Sequence, residues 1–259
     1  MPEPSATSPL SPIKLLQIQR ELCDIPRGRD RFEAYLQKMM GPKRELALPL
    51  SQFNPMAKEH VAARLNELLE LGAEEALAKA IADTNKQLGD KLHPRPAGLV
   101  MADDFGGGWT NRHQMDAGAR FGKVTRIEAD WLVVLCWSSE QPTAEDLRLE
   151  ILAQIYRGEY RLRHGQPVSL ADMLRQEGAA QCFAGAQPEK SEDELGSIQA
   201  IIDKHRASDD YPTAFACLYG DEAATSVGYT ALGVPPNGGF ALALWESLKQ
   251  KIVPEDLLG

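Results

Sequence analysis

The sequence predicts a mostly helical α+β protein, an N-terminal helical layer packed on a small sheet that carries further helices. Three observations predict it. Residues 12–92 show helical spacing of apolar residues, punctuated by Gly and Pro. Residues 97–102 and 131–137 are short, almost wholly apolar runs of strand length. From Thr143 onward helical spacing returns. The expected organisation is a disordered tail over 1–11, a helical region over 12–92 and an α+β domain over 93–259.

The tail, MPEPSATSPLS, has neither the basic start nor the apolar centre of a signal peptide, and its composition predicts disorder. Pro12 suits the first turn of a helix carrying Leu15, Leu16, Ile18 and Leu22, which Pro26 and Gly28 end. A second helix spans Asp30–Met40 and stops at Gly41-Pro42, and Leu46–Phe53 is extended. Asn54 as N-cap and Pro55 in the first turn start a third, with Val61, Leu65, Leu68, Leu69 and Leu71 as its apolar stripe. Gly72 breaks it, and Ala73–Leu88 forms a fourth, closed by Gly89. This half offers no constellation of polar groups, and His60 reads as a surface residue.

Pro94 and Pro96 mark a change to strands: Ala97–Ala102, Val124–Glu128 and Trp131–Trp137, the last expected to be buried on both faces. Thr143 caps a helix to Arg163, with Glu145 and Asp146 at its positive end. Ser169 and Asp172 suit a reciprocal cap on the next helix, toward Phe183. Another helix covers Glu192–His205, and Tyr211–Tyr219 is strand or helix by periodicity alone. Phe240–Trp245 is a last buried helix, where Gly238, Gly239, Ala241 and Ala243 permit close approach.

Composition removes several function classes. The net charge is -9, against the basic footprint that nucleic-acid binding needs. No apolar run approaches the ~20 residues that span a bilayer. Cys23, Cys136, Cys182 and Cys217 are scattered, with no CxxC or Cys/His spacing, so they read as reduced, buried thiols rather than zinc ligands. The expected setting is the cytoplasm, with no membrane partner.

The densest collection of polar side chains is LVMADDFGGGWTNRHQMD, Leu99–Asp116. The candidate ligand-site residues are Asp103, Asp104, Trp109, Asn111, Arg112, His113 and Asp116, joined by Glu177 from a later helix. Gly106–Gly108 is no P-loop, since no Lys-Ser or Lys-Thr follows, and it lacks the GxGxxG dinucleotide pattern. Two readings of the loop stand. In one it is a tight connection that folds Trp109 onto the core, with the Arg112 fork latched to Asp103 or Asp116. In the other the fork is open to a small anionic ligand. One His among carboxylates, without paired ligand spacing, predicts no metal, and nothing points to a cofactor.

Leu149–Arg157 (LEILAQIYR) and Gln176-Glu177-Gly178-Ala179-Ala180 follow the Trp131–Trp137 strand. This order of strand, helix and Glu-Gly helix over Trp131–Ala184 resembles the core of zincin-type metallopeptidases. The resemblance implies a zincin-like fold in which Glu150 and Gln154 take the positions of the two zinc-binding histidines. Ile151 takes that of the general-base Glu, and Glu177 that of the third zinc ligand. Ile151 cannot accept a proton and Gln154 is a poor zinc ligand, so the resemblance also implies that peptidase chemistry is absent.

Without the resemblance, Glu150, Gln154, Arg157 and Arg161 form one polar stripe, and Glu177 pairs with Arg157 or Arg161. Three functions follow. The first is a non-catalytic, metal-free binding protein. The second is an enzyme acting on a small polar or anionic substrate through 103–116 and Glu177. The third is a scaffold that binds a protein partner through the Arg-rich helix 143–163.

Overall fold

The structure, a computed structural model, describes residues 8–41, 45–105 and 111–259. The expectations for Gly106–Gly108 and Trp109, and for the first seven residues of the tail, lie outside the described residues. In chain order the elements are β1 (Leu10–Pro12), α1 (Leu15–Asp24), α2 (Arg29–Met39), α3 (Glu59–Glu70), α4 (Ala73–Leu88) and β2 (Arg95–Ala102). Then come α5 (Arg112–Phe121), α6 (Arg126–Asp130), β3 (Leu132–Trp137), α7 (Ala144–His164) and α8 (Leu170–Ala184). The last are α9 (Glu192–Ile202), α10 (Tyr211–Tyr219), α11 (Asp221–Ser226) and α12 (Gly238–Lys249). This is a mostly helical α+β protein, with one small sheet among the described residues.

The chain forms two units: residues up to 112 with 125–154, and residues 113–124 with 155–259. The boundary expected at residue 92 does not coincide with this division. Strand β2 pairs with β1 and packs on α1 and α4, so the strands belong with the N-terminal helices.

In the first unit β1, β2 and β3 form a parallel sheet in that order. Leu10 and Ser11, expected in a disordered tail, lie in β1, and Pro12 ends that strand rather than starting a helix. The reason is tertiary: Leu10 is buried, and the Asn85 side chain bonds both its N–H (3.1 Å) and its carbonyl (2.9 Å). Strand β1 reaches only Arg95–Ala97 of β2. Beyond it, buried Gln19 of α1 donates to Leu99 O (3.2 Å) and accepts from Met101 N–H (2.9 Å), as a further strand residue would.

Two local expectations fail. Val124–Glu128 is not a strand. The Thr125 hydroxyl and the Glu128 carboxylate form a reciprocal cap that opens α6. The apolar strand β3 is also not buried on both faces. Val133 and Leu135 are half-buried between Leu132, Val134 and Cys136, so the face of the pleat that carries them is less covered than the other.

In the second unit, reciprocal caps open α8 (Ser169, Asp172) and α9 (Ser191, Glu194). The Tyr211–Tyr219 ambiguity resolves as helix. Asp210 caps it and Pro212 sits in its first turn. Phe215, Leu218, Ile198 and Leu242 centre the core. Close approach is set by Gly178 and Gly239, where a Cβ would lie 2.4 Å from Ala243 O and 2.5 Å from Cys217 O.

Candidate functional site

The polar cluster of the first unit is built by the sheet register. Ala102 lies opposite Trp137, and Ser138 N–H continues the ladder to Ala102 O at 3.0 Å. Asp103-Asp104 therefore leaves β2 beside Ser138-Ser139 leaving β3. Ligands of open parallel sheets bind at this carboxyl end. Asp104 accepts from Ser139 N–H (2.9 Å) and Ser139 Oγ (2.7 Å), and its own N–H donates to Ser138 Oγ (3.1 Å). Ser138 Oγ lies 3.0 Å from Asp104 Oδ1 and 3.2 Å from Asp103 Oδ1, with one proton to give to the two.

Asp103 is buried, and two residues of the N-terminal half reach it. Asn54 does not cap a helix, as expected from its place before Pro55. Its Oδ1 closes a turn with Met56 N–H (3.0 Å), α3 begins only at Glu59, and its Nδ2 donates to Asp103 Oδ2 (3.1 Å). The delay places His60 in the first turn of α3, with Nε2 at 2.8 Å from Asp103 Oδ1. His60 is thus no isolated surface residue, though its side chain stays 32% exposed. A carboxylate only accepts, so Nε2 carries a proton, and in the neutral ring Nδ1 then holds the lone pair. Among the described residues no hydrogen bond reaches Nδ1. The exposed Phe105 ring lies 5.8 Å from the imidazole, centroid to centroid.

Arg112 belongs to the same unit. Its Nη2 pairs with Glu140, not with Asp103 or Asp116, and its guanidinium lies over the Trp137 ring at 5.5 Å. Sequence spacing pointed to the nearest acids, but the register brings the end of β3 closer. Burial pushes the Glu140 carboxyl up, and Arg112 pulls it the other way without prevailing. Asn111 is exposed.

His113, Asp116 and Glu177 fall in the second unit. Arg157 reaches Glu177 through Nε (2.8 Å to Oε1) and Nη2 (3.0 Å to Oε2), and Arg120 adds Nη1 at 2.7 Å to Oε2. Gln176 Nε2 donates to Oε1 at 3.1 Å. Burial alone would raise the Glu177 carboxyl, but the charges of Arg157 and Arg120 and these hydrogen bonds overcome it and hold it at about 2. Asp116 accepts from Arg120 Nε and from Tyr219 Oη, each at 2.7 Å. Burial, with Asp116 beside it, raises the Tyr219 hydroxyl well above its ordinary value. The His113 ring meets Tyr219 edge-on at 5.6 Å. Arg161 bonds the carbonyls of Ala119 (2.5 Å) and Gly122 (2.7 Å), closing the end of α5 rather than pairing with Glu177.

The expected Arg-rich face is not a face. Arg157 and Arg161 are buried, Arg148 is paired with Glu145, and Arg163 with Glu159. Cys136 and Cys217 are buried thiols that burial pushes up to about 12 and about 11. Among the described residues no three His, Cys, Asp or Glu converge as metal ligands, and no helix is long and apolar enough to cross a membrane. Ile151 is fully buried, and the Gln154 amide donates to Val133 O at 3.1 Å.

Comparison of the chain with protein-family models, curated proteins and solved structures gives no match. The likeness to zincin-type metallopeptidases therefore rests on the residues quoted for it in the sequence.

Sequence reasoning missed Asn54, His60, Ser138, Ser139 and Glu140 in the first unit, and Arg120 and Tyr219 in the second. The only local sign was Ser138-Ser139, which directly follows the apolar run of β3 as Asp103-Asp104 follows that of β2.

Proposed function

We propose that the chain is a metal-free cytoplasmic binding protein whose ligand site is the carboxyl end of β2 and β3. The ligand is a small polar molecule that donates a hydrogen bond to His60 Nδ1 and lays an apolar part against Phe105. The observation that carries this is the His60–Asp103 pair. A buried carboxylate fixes the ring by one nitrogen, the side chain stays 32% exposed, and among the described residues no hydrogen bond reaches the other nitrogen. The carboxylates of Asp103 and Asp104 are engaged by internal donors, and Arg112 Nη2 is paired with Glu140. The oriented imidazole is the group assigned to the ligand, and a hydroxyl compound supplies the donor that its neutral form accepts.

The test is an amide NMR titration with benzyl alcohol, glycerol and inorganic phosphate, on wild type and His60→Ala. Benzyl alcohol should shift the resonances of His60, Asp103 and Phe105 in wild type only, and phosphate should leave them in place. Shifts confined to other regions, or unchanged by His60→Ala, would refute the assignment.

A further inference from the structure

We infer that the His60–Asp103 pair makes this site catalytic, with His60 as a general base toward water or a hydroxyl group. The inference rests on the sheet-end binding reading and adds a reaction to it. A neutral imidazole that donates from Nε2 to a carboxylate must accept at Nδ1, and proton transfer to Nδ1 creates an imidazolium whose charge faces Asp103 at 2.8 Å. Asp103 is itself fixed by Asn54 Nδ2 at 3.1 Å and by Ser138 Oγ at 3.2 Å, so the ring is oriented before any ligand arrives. Asp103 is a positioning residue, and His60 is the group that touches the reacting atoms.

The substrate class follows from the surroundings. His60 is open to water, and Phe105 supplies an apolar ring beside it. A small ester with a flat apolar part fits both. A water oxygen bonds to the ester carbonyl carbon while its proton passes to His60 Nδ1. The carbon–oxygen bond to the leaving group then breaks, and the proton leaves His60 with the departing oxygen or to solvent. Acid and alcohol are the products, and no oxidant or reductant is consumed.

The probe is 4-nitrophenyl acetate, followed as multiple-turnover release of nitrophenolate by the full chain. Wild type should turn over with a normal solvent deuterium isotope effect. His60→Gln should lower the rate about a hundredfold, the lower range of general-base contributions. Asp103→Asn should lower it by more than tenfold and also remove the slowly exchanging His60 Nε2–H resonance, a signature that a loss of packing elsewhere would not give. Phe105→Ala, at an exposed position, tests substrate contact without threatening the fold and should raise KM more than it lowers kcat. His93→Gln and His205→Gln should leave the rate unchanged. An unchanged rate in His60→Gln, or equal loss in the His93 and His205 variants, overturns the inference. If benzyl alcohol still shifts the His60 region while turnover ignores His60, catalysis fails and binding stands. If neither responds to His60, both fail.

Discussion

Arg157 meets Glu177 edge to edge in the interior of the second unit, the arginine 1% and the glutamate 0% exposed. Neither charge has water to fall back on. Removing one partner strands the other, which costs about 3–5 kcal/mol. Glu177→Ala should therefore lower unfolding free energy by about that amount, against less than about 0.5 kcal/mol for Glu189→Ala at the surface. A double-mutant cycle with Arg157→Met should be strongly non-additive, and one with Arg161→Met close to additive. Additivity of the Arg157 cycle in urea denaturation would contradict the pairing.

The same carboxylate sets an acid dependence. Its value is about 2 in the folded chain against an ordinary 4.5. A depressed carboxyl adds its full stability above the unfolded value and loses it as pH falls toward the folded one. The contribution is about 3 kcal/mol, lost between roughly pH 5 and pH 2. Chemical denaturation across this range should show wild type losing its advantage over Glu177→Gln as pH falls. A gap that stays constant with pH would refute it.

Gly178 gives a prediction of sign. Replacing a helical Gly with Ala ordinarily gains up to about 1 kcal/mol. Here the added Cβ would meet Ala243 O at 2.4 Å, so Gly178→Ala should destabilise by more than about 1 kcal/mol. A raised melting temperature would show that α8 and α12 do not approach so closely.

Leu10 tests the strand that replaces part of the expected tail. Leu10→Ala should cost about 2–5 kcal/mol, as for a buried leucine. Asn85→Ala, which removes both bonds to the Leu10 backbone, should cost about 1–3 kcal/mol. Thermal melts unchanged by either variant would mean that β1 does not dock.

Arg112 is latched to Glu140, and both side chains are about one-third or more exposed, so the pair is worth at most about 1 kcal/mol. Arg112→Lys should lower the melting point slightly, and phosphate should not protect wild type. Phosphate stabilisation lost in the variant would restore the open-fork reading.

What was legible in the sequence is what neighbours in sequence decide. Gly72 and Gly89 bound α4, and Ser169 with Asp172 opens α8, because caps and breaks act within one turn. The helix α6 was equally local, but the β-branched Thr125 and the apolar Ile127 masked the Thr125–Glu128 cap. The three residues of β1 carry no periodicity, and their strand exists only through β2 and Asn85. The site was half legible. Asp103 and Asp104 stand out beside glycines, but His60 is 43 positions from Asp103, and its distance from that carboxylate depends on a turn at Asn54 that delays α3. Glu177 showed its need for an arginine because a charged residue among Leu174, Ala180 and Phe183 must be paired.

The most direct test of the account is a histidine-selective nitrogen–proton NMR spectrum of the intact chain at neutral pH, assigned with His60→Gln. His60 should show a protonated Nε2 with slow solvent exchange and a bare Nδ1, and benzyl alcohol should move the Nδ1 resonance. A His60 ring protonated at Nδ1, or one whose Nε2 proton exchanges as fast in wild type as in Asp103→Asn, would contradict it.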